Sequence, residues 1–224
     1  MRETQMREHH LKAPLSQDEV AVLRAGDIVY LSGPVFTARD GVYKHMLVDG
    51  NEPPIDLRAL TNVSFQSSPA GAEVSPGTYK VSSFQATAGF RYAHHMPALL
   101  ERYGVKAVVG KAGMSQELYR DVFKEHGAVC LTTMGYGLGA IYGRAIDKVI
   151  GVHWVEELGI SEALWLLDMK DLGPLLVEGD TQGNSYFAQV NEEINKNLPD
   201  LYEGLNPPVY RRLGEEQLPD KELF

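Results

Sequence analysis

Two rhythms alternate along the chain. Short apolar runs end in glycine turns, and after each turn the apolar positions recur at helical spacing. Residues 27–31 read as a strand, Ser32-Gly33-Pro34 as a turn, and 38–48 as a helix ending at Asp49-Gly50. Residues 81–84 read as a strand and Ala88-Gly89 as a turn. A helix over 97–103 follows, with Pro97 in its first turn and Gly104 just past its end. The same order recurs as a strand at 105–109, a turn at Lys111-Ala112-Gly113 and a helix at 115–126 closed by Gly127. It recurs once more as a strand at 128–132, the run Gly135-Tyr136-Gly137-Leu138-Gly139 and a helix through 146, before another strand at 148–154. Successive strand–helix units at this spacing predict a largely parallel sheet covered by helices.

The remaining segments follow other patterns. Residues 1–15 read as an N-terminal arm, and 16–23 as a short helix in which Ser16 and Glu19 form a capping box. Residues 62–66 and 78–85 are β-rich and joined by a Pro/Gly/Ser-rich loop at 67–77. Strands are predicted at 164–169, 174–178 and 185–189, the last two as a hairpin about residues 180–184. A helix over 191–202 precedes a tail, 206–224, rich in proline and charge. The expected organisation is an arm (1–15), one α/β domain (16–205) and a tail (206–224), the domain combining a parallel core with extra antiparallel strands.

Composition narrows the function. The 224 residues carry a net charge of −9, which disfavours nucleic acid and anionic lipid as partners. No apolar run approaches the ~18 residues of a membrane span, and the polar N-terminus lacks a signal-peptide core, so cytoplasmic residence is the expectation. The single cysteine, Cys130, lies in an apolar run and reads as a buried structural thiol; it cannot supply the several thiolates of an iron–sulfur cluster. The pairs His9-His10 and His94-His95 are neighbours whose side chains diverge on a helix or strand, so no metal site is expected in this chain.

In open parallel sheets, ligands bind where strands end and helices begin. Four such junctions carry polar residues beside glycine: Thr37, Arg39 and Asp40; Thr87 and Arg91; Lys111; and the 135–139 run. If the strands are neighbours, these groups share one rim, where helix N-termini add partial positive charge. Two arginines suit a dicarboxylate, each gripping one end bidentately. A threonine hydroxyl is a poor base unless a neighbour such as Lys111 draws off its proton.

Two stretches carry a resemblance. Gln85-Ala86-Thr87-Ala88-Gly89-Phe90-Arg91 with Gly110-Lys111-Ala112-Gly113-Met114, and Gly33-Pro34-Val35-Phe36-Thr37-Ala38-Arg39-Asp40, resemble the β subunit of two-subunit class I fumarases and L(+)-tartrate dehydratases. The resemblance spans about residues 11–205 and is most specific at 24–40, 87–114 and 148–167. It implies a swivelling β/β/α domain, with three layers, a central parallel sheet and a second antiparallel sheet. It also implies a hydro-lyase that reversibly adds or removes water on a fumarate/malate- or tartrate-like dicarboxylate. Thr87 is then the candidate catalytic base, Lys111 its partner, and Arg39, Arg91 and Thr37 the substrate-binding groups. The implied cofactor is a 4Fe-4S cluster held by the cysteines of an alpha subunit, in an alpha2beta2 complex, and not by this chain. Where the family has Pro-Thr, Met-Asp and Ala-His-Lys-Arg, this chain has Gln85-Ala86, Tyr92-Ala93 and Val42-Tyr43-Lys44-His45, and Phe90 is an extra residue. These changes favour a tartrate-like or alkyl-substituted acid over fumarate itself.

Two rival readings remain. Gly135-x-Gly137-x-Gly139, followed by Glu156 and Glu157 after the next strand, resembles a dinucleotide fingerprint, although its last spacing is one residue short. A non-catalytic, regulatory subunit is the other.

Overall fold

A computed structural model describes residues 6–135 and 137–203. The chain divides into two compact units, Met1–Gln189 and Val190–Phe224, and the candidate site lies wholly in the first. The first half runs β1 (Glu8–Lys12), α1 (Gln17–Ala21), β2 (Ile28–Thr37), α2 (Asp40–Tyr43), α3 (Leu57–Leu60), β3 (Val63–Phe65), β4 (Ala70–Ser75) and β5 (Thr78–Ser83). A 3-10 segment, Gly89–His95, leads into α4 (Met96–Tyr103) and β6 (Ala107–Gly110). Then come α5 (Gln116–Leu118), a π turn at Tyr119–Phe123 and α6 (Lys124–His126), which together form one continuous helix. The order ends with β7 (Val129–Thr133), α7 (Gly139–Gly143), β8 (Ile146–His153), α8 (Val155–Leu158), β9 (Leu164–Gly179) and α9 (Tyr186–Tyr202).

The main sheet is mixed. β1, β2, β3, β6 and β7 run parallel, in that spatial order. β9 lies antiparallel to β7, β2 and β8. Because β9 reaches both β2 and β7, the pairing β2–β3–β6–β7–β9 returns on itself, so the sheet is closed there and not open as the strand–helix repeat suggests. β4 and β5 form a separate two-stranded antiparallel sheet.

Alternation along the strands separates two cores. Val35, Val109, Leu131 and Trp165 join one cluster with Phe65 and Phe84. Their neighbours Phe36, Val108, Cys130 and Leu164 face the other way and pack with the helical residues Tyr43, Met46, Tyr92, Leu99 and Phe123. Phe65 and Phe84 meet edge to face at 4.3 Å inside the first cluster. Cys130 is buried as expected, and burial pushes its thiol well above the usual range.

Several sequence expectations are revised. Residues 8–12 of the arm form β1, paired with β2. The turn predicted at Ser32-Gly33-Pro34 lies inside β2: Gly33, at φ 90°, takes up an irregularity in the β2–β9 register, and a side chain there would strike the Ala13 carbonyl at 2.5 Å. The loop predicted at 67–77 contains β4. Residues 164–169 and 174–178 are parts of one strand, β9, and no hairpin follows it. Gly179 bridges Ser185, Asp180 accepts hydrogen bonds from Gln182 and Asn184, and Ser185 then caps α9 by accepting from Ala188 N at 3.1 Å. The 206–224 tail lies outside the described residues. No helix among the described residues is long and apolar enough to cross a membrane.

Candidate active site

The parallel strands β2, β3, β6 and β7 end on one row, with Thr37 opposite Phe65, Phe65 opposite Val109 and Val109 opposite Leu131. Two of the expected junctions leave the sheet from this row, after β2 and β6; the Thr87 turn, expected to end a strand at 81–84, follows β5 of the separate sheet and is brought to the end of β3 instead. Beyond β2, Arg39 stands in the N-cap position of α2, with Asp40 the helix's first residue. Beyond β3, the Gln66 carbonyl accepts from Thr87 N at 2.7 Å and fixes the Thr87 turn over the strand end. Beyond β6, Lys111 N donates to the Thr87 carbonyl at 3.1 Å. Residues far apart in sequence, Thr87 and Lys111, therefore occupy adjoining turns joined through their backbones.

Two glycines allow this closeness. A side-chain carbon on Gly110 would lie 2.4 Å from Gln66 Oε1, and one on Gly89 would lie 2.8 Å from the Ala112 carbonyl. Gln66 is fully buried between the turns. Ala112 adopts φ 56°, a left-handed conformation that turns the chain sharply after Lys111.

Charged groups complete the rim. Arg91 Nη2 donates to Asp40 Oδ2 at 2.6 Å, linking the second junction to the first. The guanidinium of Arg91 also lies 5.3 Å from the Tyr92 ring. Arg39 Nη1 pairs with Glu162 Oε1 at 3.2 Å, while Glu162 Oε2 accepts from Gly41 N at 2.9 Å. Burial works against the Arg39 charge, but the Tyr92 hydroxyl and the Glu162 and Asp40 carboxylates outweigh it and hold the guanidinium cationic. Arg39 and Arg91 thus pair with Glu162 and Asp40 at this rim, in a chain of net charge −9.

Thr37 differs from the other four candidates. It is 1% exposed, and its hydroxyl accepts from Trp165 N at 3.2 Å, which ties β9 to the end of β2 just before Arg39. The fourth junction packs beside the others, since the Gly139 carbonyl accepts from Phe84 N at 2.9 Å. The unit around it is not a parallel βαβ: α7 is five residues long, and β8 pairs antiparallel with β9. A cavity of about 700 Å³ lined by Glu52, Arg58, Arg102 and Tyr103 lies at the opposite ends of β3 and β6 and shares no residue with this site.

The contacts of two residues at the rim escape the sequence reading. Tyr92 is fully buried, and its hydroxyl donates to Asp40 Oδ2 at 3.3 Å. Burial pushes the Tyr92 phenol up, with Arg39 and Thr87 close enough to pull the other way. Its place beside Arg91 was visible in the sequence, but nothing there marked it as polar-partnered. Glu162 lies 121 positions from the Gly41 amide it holds, and no local pattern signals such a contact.

A strand-end rim that carries two arginines, a threonine and a lysine on an α/β scaffold is a candidate anion-binding site. The fumarase C-terminus family matches residues 1–190, and the chain belongs to that family. It is 32% identical over 190 residues to a Methanocaldococcus jannaschii protein provisionally named L(+)-tartrate dehydratase subunit beta, covering 84% of this chain and 95% of that one. It is 28% identical over 179 residues to the L(+)-tartrate dehydratase subunit beta of Escherichia coli K12, covering 80% and 86%. It is 30% identical over 200 residues to a Geobacillus stearothermophilus protein provisionally named class I fumarate hydratase, covering 89% of this chain but 37% of that longer one.

Proposed function

We propose that this chain is the β subunit of a hydro-lyase that adds or removes water on a fumarate/malate- or tartrate-like dicarboxylate. The observation that carries the reading is the Thr87–Lys111 pair of turns, meeting the Arg39–Asp40–Arg91 group at one rim, in a chain of this family. The mixed sheet with a small second sheet supports the swivelling β/β/α assignment.

In this reading Arg39 and Arg91 bind the two carboxylates. Glu162 holds Arg39 in place, and Arg91 reaches the ligand through the nitrogens that Asp40 leaves open. Once a neighbour such as Lys111 has drawn off its hydroxyl proton, Thr87 takes the proton from the substrate carbon during dehydration and returns it during hydration. Lys111 lies beside it as a cation that stabilises the charge on Thr87 or on the substrate carboxylate. Thr37 supports Arg39 from below.

The residues of this chain do not fit an iron–sulfur cluster. Its one cysteine is buried in the core between sheet and helices, and no group of three or more potential ligands occurs among the described residues. The cluster belongs, in this proposal, to an alpha subunit that closes over the rim, in an alpha2beta2 complex within the cytoplasm.

The test is anaerobic turnover of the chain combined with its cysteine-bearing partner, on fumarate, tartrate and mesaconate. Wild-type complex turns over one of these acids, and Arg39→Ala and Arg91→Ala complexes assemble but lose most kcat/KM. Unchanged kcat/KM in both variants sinks the clamp, and absence of turnover on any of these acids sinks the hydro-lyase reading.

A further inference from the structure

We infer that Phe90 sets the substrate specificity of the site: its ring is an apolar wall that selects an acid carrying an alkyl substituent on the reacting double bond. The inference rests on the proposed hydro-lyase reading and names the substrate within it. Phe90 is the one exposed phenylalanine among the described residues, at 61%, whereas Phe36, Phe65, Phe84 and Phe123 are fully buried and Phe187 is half-buried. Single apolar side chains are common on protein surfaces, so exposure alone assigns nothing. The place of this ring does.

Phe90 stands between two parts of the rim. It follows Gly89, which is seated so closely on the Lys111 turn that an added side-chain carbon would lie 2.8 Å from the Ala112 carbonyl. It precedes Arg91, which turns to Asp40 at 2.6 Å. Residues 89–95 form a 3-10 segment, in which three residues make a turn and neighbouring side chains leave roughly 120° apart. Arg91 thus goes toward α2. Phe90 goes toward the turn after β6, where its Cδ1 lies 3.6 Å from the position of a side-chain carbon on Gly113. Ala112 and Gly113 take φ 56° and 84°, and this sharp turn brings Gly113 to the ring two residues after Lys111. Lys111 N is in turn bonded to the Thr87 carbonyl at 3.1 Å. A ligand held by Arg91 beside the Thr87 and Lys111 turns therefore has this ring on its flank.

The chemistry of the ring picks out the substituent. A phenyl group accepts and donates no ordinary hydrogen bond, so a hydroxyl turned toward it loses water without replacement. A methyl group turned toward it buries apolar surface on both partners. Tartrate, with a hydroxyl on each central carbon, is the poorest fit, and fumarate has nothing to place there. Mesaconate, which is fumarate with one methyl group, fits. The carboxylates are common to all three acids and are left to the arginines.

The test compares kcat/KM on mesaconate and on fumarate, in the complex of both subunits, for wild type and Phe90→Ala. Wild type should prefer mesaconate. Phe90→Ala should lower the mesaconate-to-fumarate ratio about 10-fold, the low end for one methyl group in an apolar pocket, because the ring is open on one side. The ratio does not depend on how much complex forms, so it separates specificity from assembly, and subunit affinity is titrated alongside. An unchanged ratio overturns the inference; if subunit affinity falls at the same time, the ring serves docking instead. A wild type that prefers fumarate or tartrate overturns it as well. Should Phe90→Ala fail to assemble, Phe90→Leu keeps an apolar side chain while removing the ring. A ratio several-fold below wild type then supports the inference, and an unchanged ratio rejects it. A wild-type complex without turnover on any of the three acids rejects the hydro-lyase reading itself, a result distinct from an active complex whose preference Phe90 does not set.

Discussion

Single atoms decide how the Thr87 and Lys111 turns meet. Gly110→Ala places a methyl group 2.4 Å from Oε1 of the fully buried Gln66, which must shift to admit it. Overpacking of this kind costs roughly 1–3 kcal/mol, so chemical denaturation should show a lower midpoint with an unchanged slope. Turnover should fall further than stability alone explains, because the strain separates Thr87 from Lys111. Glu162→Gln probes the other wall: it keeps an acceptor for the Gly41 amide but removes the charge that holds Arg39. KM for the dicarboxylate should rise several-fold with little change in the thermal midpoint, and steady-state kinetics will show it. Glu178 offers a pH test remote from the site. It is 1% exposed, burial pushes its carboxyl above the usual range, and the Ser185 hydroxyl that donates to it at 2.6 Å only partly offsets this. The folded chain therefore holds the Glu178 proton more tightly than the unfolded chain, whose carboxyl titrates at about 4.3. Stability from this group is fully present below that unfolded value and is lost as pH rises through the folded value. Glu178→Gln cannot ionise, so its thermal midpoint should exceed wild type at neutral pH and vary less across that window.

Elements with local signatures were legible in the sequence, and those made by distant partners were not. The capping box at Ser16 and Glu19 is present, with Ser16 Oγ accepting from Glu19 N at 3.2 Å. Ser16→Ala should lower stability by about 1 kcal/mol in urea titration. Pro97 and Gly104 bracket α4, and Gly104 takes φ 62° as a helix-ending glycine does. β9 was unreadable because Asp171, Gly173 and Pro174 resemble a break. The strand survives because a bulge opposite residues 29–31 absorbs them, with Gly173 packed so closely that an added carbon would lie 2.7 Å from the Tyr30 ring. β4 was hidden by its small polar composition; it exists through pairing with β5. The site followed the same division. Arg39, Thr87, Arg91 and Lys111 could be proposed because each sits beside a glycine turn or helix start. Glu162 was not, because only closure of β9 against β2 brings it to Arg39.

In the proposed reading the molecule as a whole carries half of the chemistry. Its net charge of −9 repels a dianion at long range, so in the proposed reading capture depends on the short-range pull of Arg39 and Arg91. Arg91 is 42% accessible, and its pull on an anion gains strength if a second surface excludes water from it. The lone cysteine is buried and its thiol pushed up, and in the proposed division of labour the Lewis-acid function falls to another chain. The isolated chain, treated anaerobically with iron and sulfide, should therefore develop no cluster absorbance and no hydro-lyase activity, while keeping its folded circular dichroism spectrum. Addition to the cysteine-bearing subunit should restore turnover, saturating at one copy of each, and the same titration with Arg39→Ala should saturate at the same ratio without turnover. Cluster absorbance in the isolated chain would refute this division of labour, because it would require ligands that the described residues do not assemble.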